Sequence, residues 1–388
     1  MSECETCGEE DCKEHSILLN RIVKTDHIAG SSPPEIFVGR WNYPDVYAGI
    51  LAPQEYGNTE AMSTPEVWHR RKLTINDILS QRQKLIYGRK TTSIKAPRLA
   101  PKKLTRVMQE IAMTSKSIAT EMFLKKPVNA NKEQAPNAPL IKNAADIRNA
   151  RLQENPIIAK KIDYLTNDTD AKSADSIKEL HNSNISTSHI IKILSAGLLG
   201  RKHRRTLVPT RWAITAVDDT LSKQMLPEIK SFQEIGEYQV FHSYYVGNNY
   251  HFLLIPETFS FEVIELSLKN GGVWQDYETV YPRKKYADDV TGAYYVNRLA
   301  LCEYLKKIRR QATCLVFREI RPEYSSPLGV GILRETSRAA FASPPKTFSS
   351  LPEALQAIQE NLRIPVQRFT EKSVLLKIKR TQTKLSNF

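Results

Sequence analysis

Apolar positions recur along this chain in short runs broken by Gly, Pro and polar clusters, and the spacing inside each run predicts its element. Glu35–Gly39 and Val46–Leu51 read as strands, punctuated by Gly39, Pro44, Gly49 and Pro53. Thr64–Arg89 reads as helical: Thr64-Pro65-Glu66 is a cap with Pro in the first turn, and Ile75, Ile78 and Leu79 keep helical spacing. Pro101–Lys126 predicts a longer helix, with Leu104, Val107, Met108, Ile111, Ile118 and Met122 on one stripe. Pro127–Pro139 has few large apolar groups and reads as a loop or linker; Thr166–Ser176 is a second polar stretch, and Ser186–Leu199 a further helix. From Thr206 the pattern turns towards strands. Arg211–Val217 is one, and Tyr238–Val246 pairs with Tyr250–Pro256 across Gly247-Asn248-Asn249, followed by Ser260–Ser267. Gly292–Arg310 is an amphipathic helix, with Tyr295, Leu299, Cys302, Leu305 and Ile308 inward, and it runs into the strand Ala312–Ile320. Ser350–Asn361 is another helix and Ser373–Lys379 an alternating strand. Helices and strands mix without a βαβ repeat, which predicts an α+β fold with an antiparallel or mixed sheet. The expected division is a metal-binding knuckle at 1–16, a mainly helical region at 17–200 with a linker near 127–140, an α+β domain at 201–379, and a flexible tail at 380–388.

Composition narrows the function. The longest apolar runs, such as Phe252–Pro256 and Cys314–Phe317, are strand-sized, well short of the roughly 20 residues a membrane helix needs. The Met-Ser-Glu-Cys start lacks a basic, then apolar, leader, so a soluble cytoplasmic protein with no membrane partner is expected. Against 42 acidic residues stand 56 Lys and Arg, a formal charge of +14. Such an excess points to nucleic acid, because each cation that meets a phosphate releases condensed counterions; a generally Lys-rich proteome is the plainer alternative. The runs containing Arg201, Lys202, Arg204 and Arg205, and Arg283, Lys284 and Lys285, are the phosphate-contact candidates, with solvated loops as the alternative. Arg40, Tyr43, Arg211, Asp218, Asp219, Arg298 and Glu319, with Trp212 and Tyr294, would line a pocket for a nucleotide or a strand if they converge; such aromatics are otherwise core. The carboxylates Asp218-Asp219, Asp288-Asp289 and Glu319 would serve a metal-dependent nuclease, or simply act as caps and solvated charges. There is no phosphate-cradling Gly-x-x-x-x-Gly-Lys loop, no His-Glu-x-x-His and no nucleophile elbow.

Both ends carry motifs. Cys4, Cys7, Cys12 and His15 form two x-x-spaced pairs of soft ligands, which suits a tetrahedral, structural zinc; an oxidisable tail is the alternative. The acids around them, Glu3 to Glu14, argue against this segment gripping phosphates. At the other end, Gln382, Leu385 and Phe388 fit the sliding-clamp pattern Gln-x-x-aliphatic-x-x-aromatic. Three-residue spacing places Leu385 and Phe388 on one side of a single helical turn, a two-pronged plug for an apolar pocket.

Three further stretches carry a family likeness: Ser32–Pro44, Pro209–Asp219 and Tyr324–Gly331. With the terminal motifs, they make the chain resemble the archaeal Nre DNA repair family over nearly its whole length. That resemblance implies a role in the response to DNA damage, an N-terminal metal-binding region and a C-terminal motif for the clamp (PCNA). His15 stands where the family pattern has a fourth Cys. The expected function is a repair-associated protein that binds the clamp through its tail and contacts DNA through its body. A clamp-tethered nuclease or nucleotide-modifying enzyme, and a hub that binds only proteins, are the rivals.

Overall fold

Residues 24–99, 101–129 and 143–381 of the computed structural model are described; the Cys/His cluster and the clamp motif lie outside them. The first half is built on a six-stranded sheet: β1 (Lys24–Ser32), β2 (Ile36–Val38), β3 (Asp45–Ala52), β4 (Ile86–Ser93), β5 (Ile118–Asn129) and β6 (Asn143–Leu152). Their order across the sheet is β1-β5-β6-β4-β3-β2, antiparallel except for the β4–β6 pair. Interleaved helices are α1 (Pro65–Arg70), α2 (Ile75–Gln83), α3 (Lys103–Met113), α4 (Lys160–Asn167), α5 (Ser173–Asn182) and α6 (Thr187–Ser195). A sheet therefore dominates the stretch expected to be mainly helical.

The second half opens with α7 (Thr210–Ile229) and a second six-stranded sheet: β7 (Tyr238–Tyr245), β8 (Asn248–Ile255), β9 (Ser260–Ser267), β10 (Val273–Glu278), β11 (Thr313–Ile320) and β12 (Lys346–Phe348). Its order is β10-β9-β11-β8-β7-β12, with only the β9–β11 pair parallel. Helices α8 (Gly292–Ile308) and α9 (Val330–Ala342) cover one face; α10 (Leu351–Gln359), α11 (Gln367–Thr370) and α12 (Val374–Thr381) cover the other. The period-2 geometry of strands sorts the side chains. Tyr250, Phe252 and Leu254 of β8 enter the main core, while Leu253 and Ile255 pack with Ile358, Phe369 and Leu376 beneath the C-terminal helices. Burial on both faces explains why β8 and β9 are covered at every position. The main core is continuous from Ile28 of β1 to Ala340 of α9, so it joins both sheets. No described helix is long and apolar enough to cross a membrane.

The α+β class and the mixed sheets are as the sequence predicts, with instructive exceptions. The helix expected over Pro101–Lys126 stops at Met113, and Ile118–Asn129 is β5. Ile118 and Met122 are four apart, a spacing that serves a helix stripe and a strand face alike; the buried set Ile118, Thr120, Met122 and Leu124 shows period 2. Thr64–Arg89 divides into α1, α2 and the start of β4, with Thr74 and Asp77 forming a capping box that starts α2 afresh. Arg211–Val217, expected as a strand, belongs to α7, whose buried Ala213, Val217, Leu221 and Met225 follow helical spacing. Ser373–Lys379 likewise folds as α12. The β7–β8 turn falls on Val246-Gly247, both at positive φ, and leaves Asn248 and Asn249 buried in the strand. A Cβ on Gly247 would meet the Tyr324 backbone at 2.2 Å. Of the expected linker, 127–129 end β5 and the remainder lies outside the described residues.

Charged side chains rivet the helices together. Asp218 of α7 receives both Nε and Nη2 of Arg334 from α9, at 2.9 and 2.7 Å, with both groups buried. Glu303 of α8 takes Arg338 of α9 at 2.6 and 2.8 Å and His181 of α5 at 3.1 Å, while Arg338 also donates to Thr187 of α6. Burial alone would raise the Glu303 carboxyl, but His181 and Arg338 outweigh it and hold it at about 2. Glu303→Gln should therefore cost about 2 kcal/mol of stability in urea unfolding near neutrality. Since the folded value lies below the ordinary 4.5, the contribution is complete above that pH and is lost as pH falls towards 2. The wild-type chain should lose stability more steeply than the variant across that window, and equal slopes would contradict the assignment.

Candidate nucleic-acid interface

The first turn of α7, the turn after β2 and the loop between β10 and α8 meet at a cleft of about 540 Å³. Each is placed by a specific contact. The Thr210 hydroxyl at the start of α7 accepts from the Val38 amide at 3.0 Å, drawing the helix end against β2. Arg40 follows directly, and Tyr43 reaches the Trp212 ring at 5.3 Å between centroids. The loop is fastened by Arg283, which donates to the Tyr277 and Tyr286 carbonyls at 3.0 and 3.1 Å and pairs with Asp276 at 2.9 Å. The Ala287 amide donates to the Tyr295 hydroxyl at 2.9 Å, so Tyr286 stacks on Tyr295 at 5.3 Å.

Cations and aromatic faces therefore line the cleft together. Arg40 and Arg211 stand on one side and Lys284 and Lys285 on the other, all exposed. Trp212 and Tyr286 are 44% and 48% exposed, and Trp41, beneath the Arg40 guanidinium at 4.5 Å, is 72% exposed. Folding leaves aromatic surface in water only at a cost, and here several such rings stand exposed beside cations that make no ion pair among the described residues. Asp219 is the carboxylate of the cleft, and it is occupied by Lys223 at 2.8 Å and by Arg298. Arg298 is buried behind it and bonds Glu278 at 3.0 and 3.2 Å. Burial would lower its pKa, but Glu278, Tyr294 and Asp219 together raise it, so it is a fixed positive strut.

The structure brings together Arg40, Tyr43, Arg211 and Asp219 with Arg283, Lys284 and Lys285, and places Arg298 just beneath them. Arg283 serves the loop rather than the opening. Asp218 faces the core, paired with Arg334, and Glu319 lies at the end of β11, held by Arg321 at 2.6 Å and the Arg363 amide at 2.7 Å. In the basic run, Arg201, Lys202 and Arg204 are exposed, whereas Arg205 turns inward to the carbonyls of Gly200, Thr166 and Asp168. Asp289 accepts the Gln275 amide at 2.6 Å. The carboxylates considered for a nuclease are thus dispersed, and among the described residues no three His, Cys, Asp or Glu side chains gather to hold a metal. Lys223 and Tyr286 were not singled out by sequence; Lys223 stands four residues after Asp219, a helical ion-pair spacing that was legible.

Models of the archaeal Nre N-terminal and C-terminal regions match residues 7–275 and 278–388. The DNA repair protein NreB of Archaeoglobus fulgidus is 35% identical over 385 residues, covering 97% of this chain and 96% of the relative. NreA of the same organism is 33% identical over 360 residues, 90% of each chain, and NreA of Haloferax volcanii is 30% identical over 371 residues, 92% of this chain and 88% of the relative. No solved structure matches. With both regional models matched end to end and relatives of this identity aligned over nearly their full length, the chain belongs to the archaeal Nre family.

Proposed function

We propose that this protein acts in DNA repair, holding an unpaired DNA strand in the aromatic, cationic cleft while its C-terminal residues engage the sliding clamp. The repair role follows the names of its relatives, each called a DNA repair protein. The observation that carries the DNA reading is the cleft: exposed Trp212 and Tyr286 offer stacking faces, and Arg40, Arg211, Lys284 and Lys285 supply charge without a paired carboxylate among the described residues. Bases stack on such rings in any sequence, and the cations follow the phosphates. A duplex keeps its bases stacked on each other, so the accessible rings favour a single strand.

The clamp half rests on Gln382, Leu385 and Phe388, which follow directly after the basic helix α12. A motif of modest affinity suffices, because tethering raises the local concentration of DNA around the cleft. At the N-terminus, Cys4, Cys7, Cys12 and His15 would hold zinc in a structural role; three thiolates and an imidazole form a donor set that suits it.

Three outcomes follow. Combined Arg211→Glu and Trp212→Ala should weaken single-stranded DNA binding, read by fluorescence anisotropy, by at least about tenfold, because one stacked base is worth about 1–3 kcal/mol. Unchanged affinity would leave the protein-only hub as the better reading. In calorimetric titration of the cognate clamp, the chain ending at Thr381 should show no binding where the full chain binds; retained binding would assign the clamp contact to another surface. Native mass spectrometry should find one zinc per chain, lost on Cys4→Ser with Cys7→Ser, and a metal-free wild-type chain would remove the zinc assignment.

A further inference from the structure

We infer that the bound strand continues past the aromatic cleft, over the turn 94–99, into a second cationic cleft on the first sheet, where Lys90, Lys103 and Arg148 meet its phosphates. The inference rests on the strand-binding reading of the first cleft and extends its path.

The second cleft encloses about 370 Å³ between the ends of β4 and β6 and the first turn of α3. Lys90, Lys102, Lys103 and Arg148 line it with the hydroxyls of Thr91 and Thr92, and among the described residues no carboxylate does, the exposed Asp26 standing 4.0 Å from Arg148 outside the lining. All four cations are exposed. Lys103 opens α3, whose first turn has no acidic residue and whose N-cap residue makes no side-chain bond. A helix start disfavours positive charge, so these lysines carry an electrostatic cost that brings no benefit to folding. An anion in the cleft removes that cost.

The two clefts adjoin. Ser93, on the wall of the second, pairs across the β3–β4 ladder with Asp45, two residues from Tyr43 of the first. Neighbouring strands lie about 5 Å apart, so one ladder step takes the wall of the second cleft to Asp45, and Tyr43, two residues beyond, packs against Trp212 of the first. The Ile94 amide donates to the Pro44 carbonyl at 3.0 Å, fixing the 94–99 turn beside the Tyr43 turn. Lys95 and Arg98 are exposed on that turn, and Asp45 is the exposed acid on the step itself. Arg98 donates to the His203 carbonyl at 3.1 Å, which sets the exposed Arg201, Lys202 and Arg204 alongside. The basic run that lines neither cleft therefore flanks the passage between them. A mononucleotide or a lone phosphate would need one cleft; two joined by a cationic bridge fit a phosphodiester chain.

The test compares oligonucleotides of roughly six and roughly twenty nucleotides, bracketing the span of a typical strand-binding groove. Lys90→Glu, Lys103→Glu and Arg148→Glu together should weaken the longer strand by at least about tenfold and lower its salt slope by about two, since each single-strand phosphate contact contributes about 0.7. The shorter strand, held by the first cleft, should bind as it does to the wild-type chain. Equal charge reversal at Lys160, Lys178 and Lys307, which line neither cleft, should leave both lengths closer to wild type, and an equal loss there would reduce the effect to net charge and overturn the inference. So would a triple variant that binds both lengths normally, or weakens both alike. Loss of both lengths in Arg211→Glu with Trp212→Ala supports the first cleft independently, so the two readings fail separately. Thermal unfolding checks the fold: the three side chains are exposed, and Glu at position 103 suits a helix start. The neutral set Lys90→Gln, Lys103→Gln and Arg148→Gln should give a smaller loss confined to the longer strand.

Discussion

Two adjacent acids on α7 hold the molecule in register. Successive helical residues project about 100° apart, so Asp218 and Asp219 face different neighbours. Asp218 grips Arg334 of α9 in the core, and Asp219 reaches Arg298 of α8 at the floor of the cleft. Arg334 would be an uncompensated buried charge without Asp218, a far larger penalty than the pair itself returns, whereas Arg298 without Asp219 would keep only Glu278. The arrangement therefore specifies one seating for α7 against two helices at once. Because Arg211 and Trp212 sit at the start of that helix, the same pairs decide where the cleft's aromatic wall stands.

The positive charge of the chain falls into two kinds. Arg298, Arg318, Arg334 and Arg338 are enclosed and matched by Glu278, Glu265, Asp218 and Glu303, so they stabilise the fold and offer nothing to a ligand. Arg205 and Arg283 spend their guanidinium donors on backbone carbonyls, pinning loops. What remains at the surface of the clefts is largely lysine with Arg40, Arg211 and Arg148. Of the +14 formal excess, the part available to a ligand in the two clefts is therefore this exposed set rather than the enclosed arginines.

Much of the fold was legible locally. The β7–β8 hairpin, β9, α8, β11 and α10 follow from apolar periodicity and turn residues. The failures share a cause. Where apolar residues are spaced by four, as Ile118 and Met122 are, helix and strand are both satisfied, and only the partners available in space choose between them. For Arg211–Val217 the local alternation suggested a strand, but the segment lies between α6 and α8, where a helical stripe buries Ala213 and Val217 fully. Of the proposed pocket, Arg40, Arg211 and Asp219 converge on one cleft, whereas Asp218 and Glu319, carboxylates like Asp219, serve the interior.

By itself the sequence determined the family likeness, the α+β class, the excess of positive charge, and the spaced motifs at its two ends, because each is written in local order or in composition. Only the tertiary structure decided which charges are buried struts and which stay exposed. It also brought Arg40, Arg211 and Lys284, which stand on three separate elements, to one opening. The reason is physical: the distance between such residues depends on how two sheets and the helices between them share one continuous core, and that packing leaves no signal in the spacing of the residues it unites.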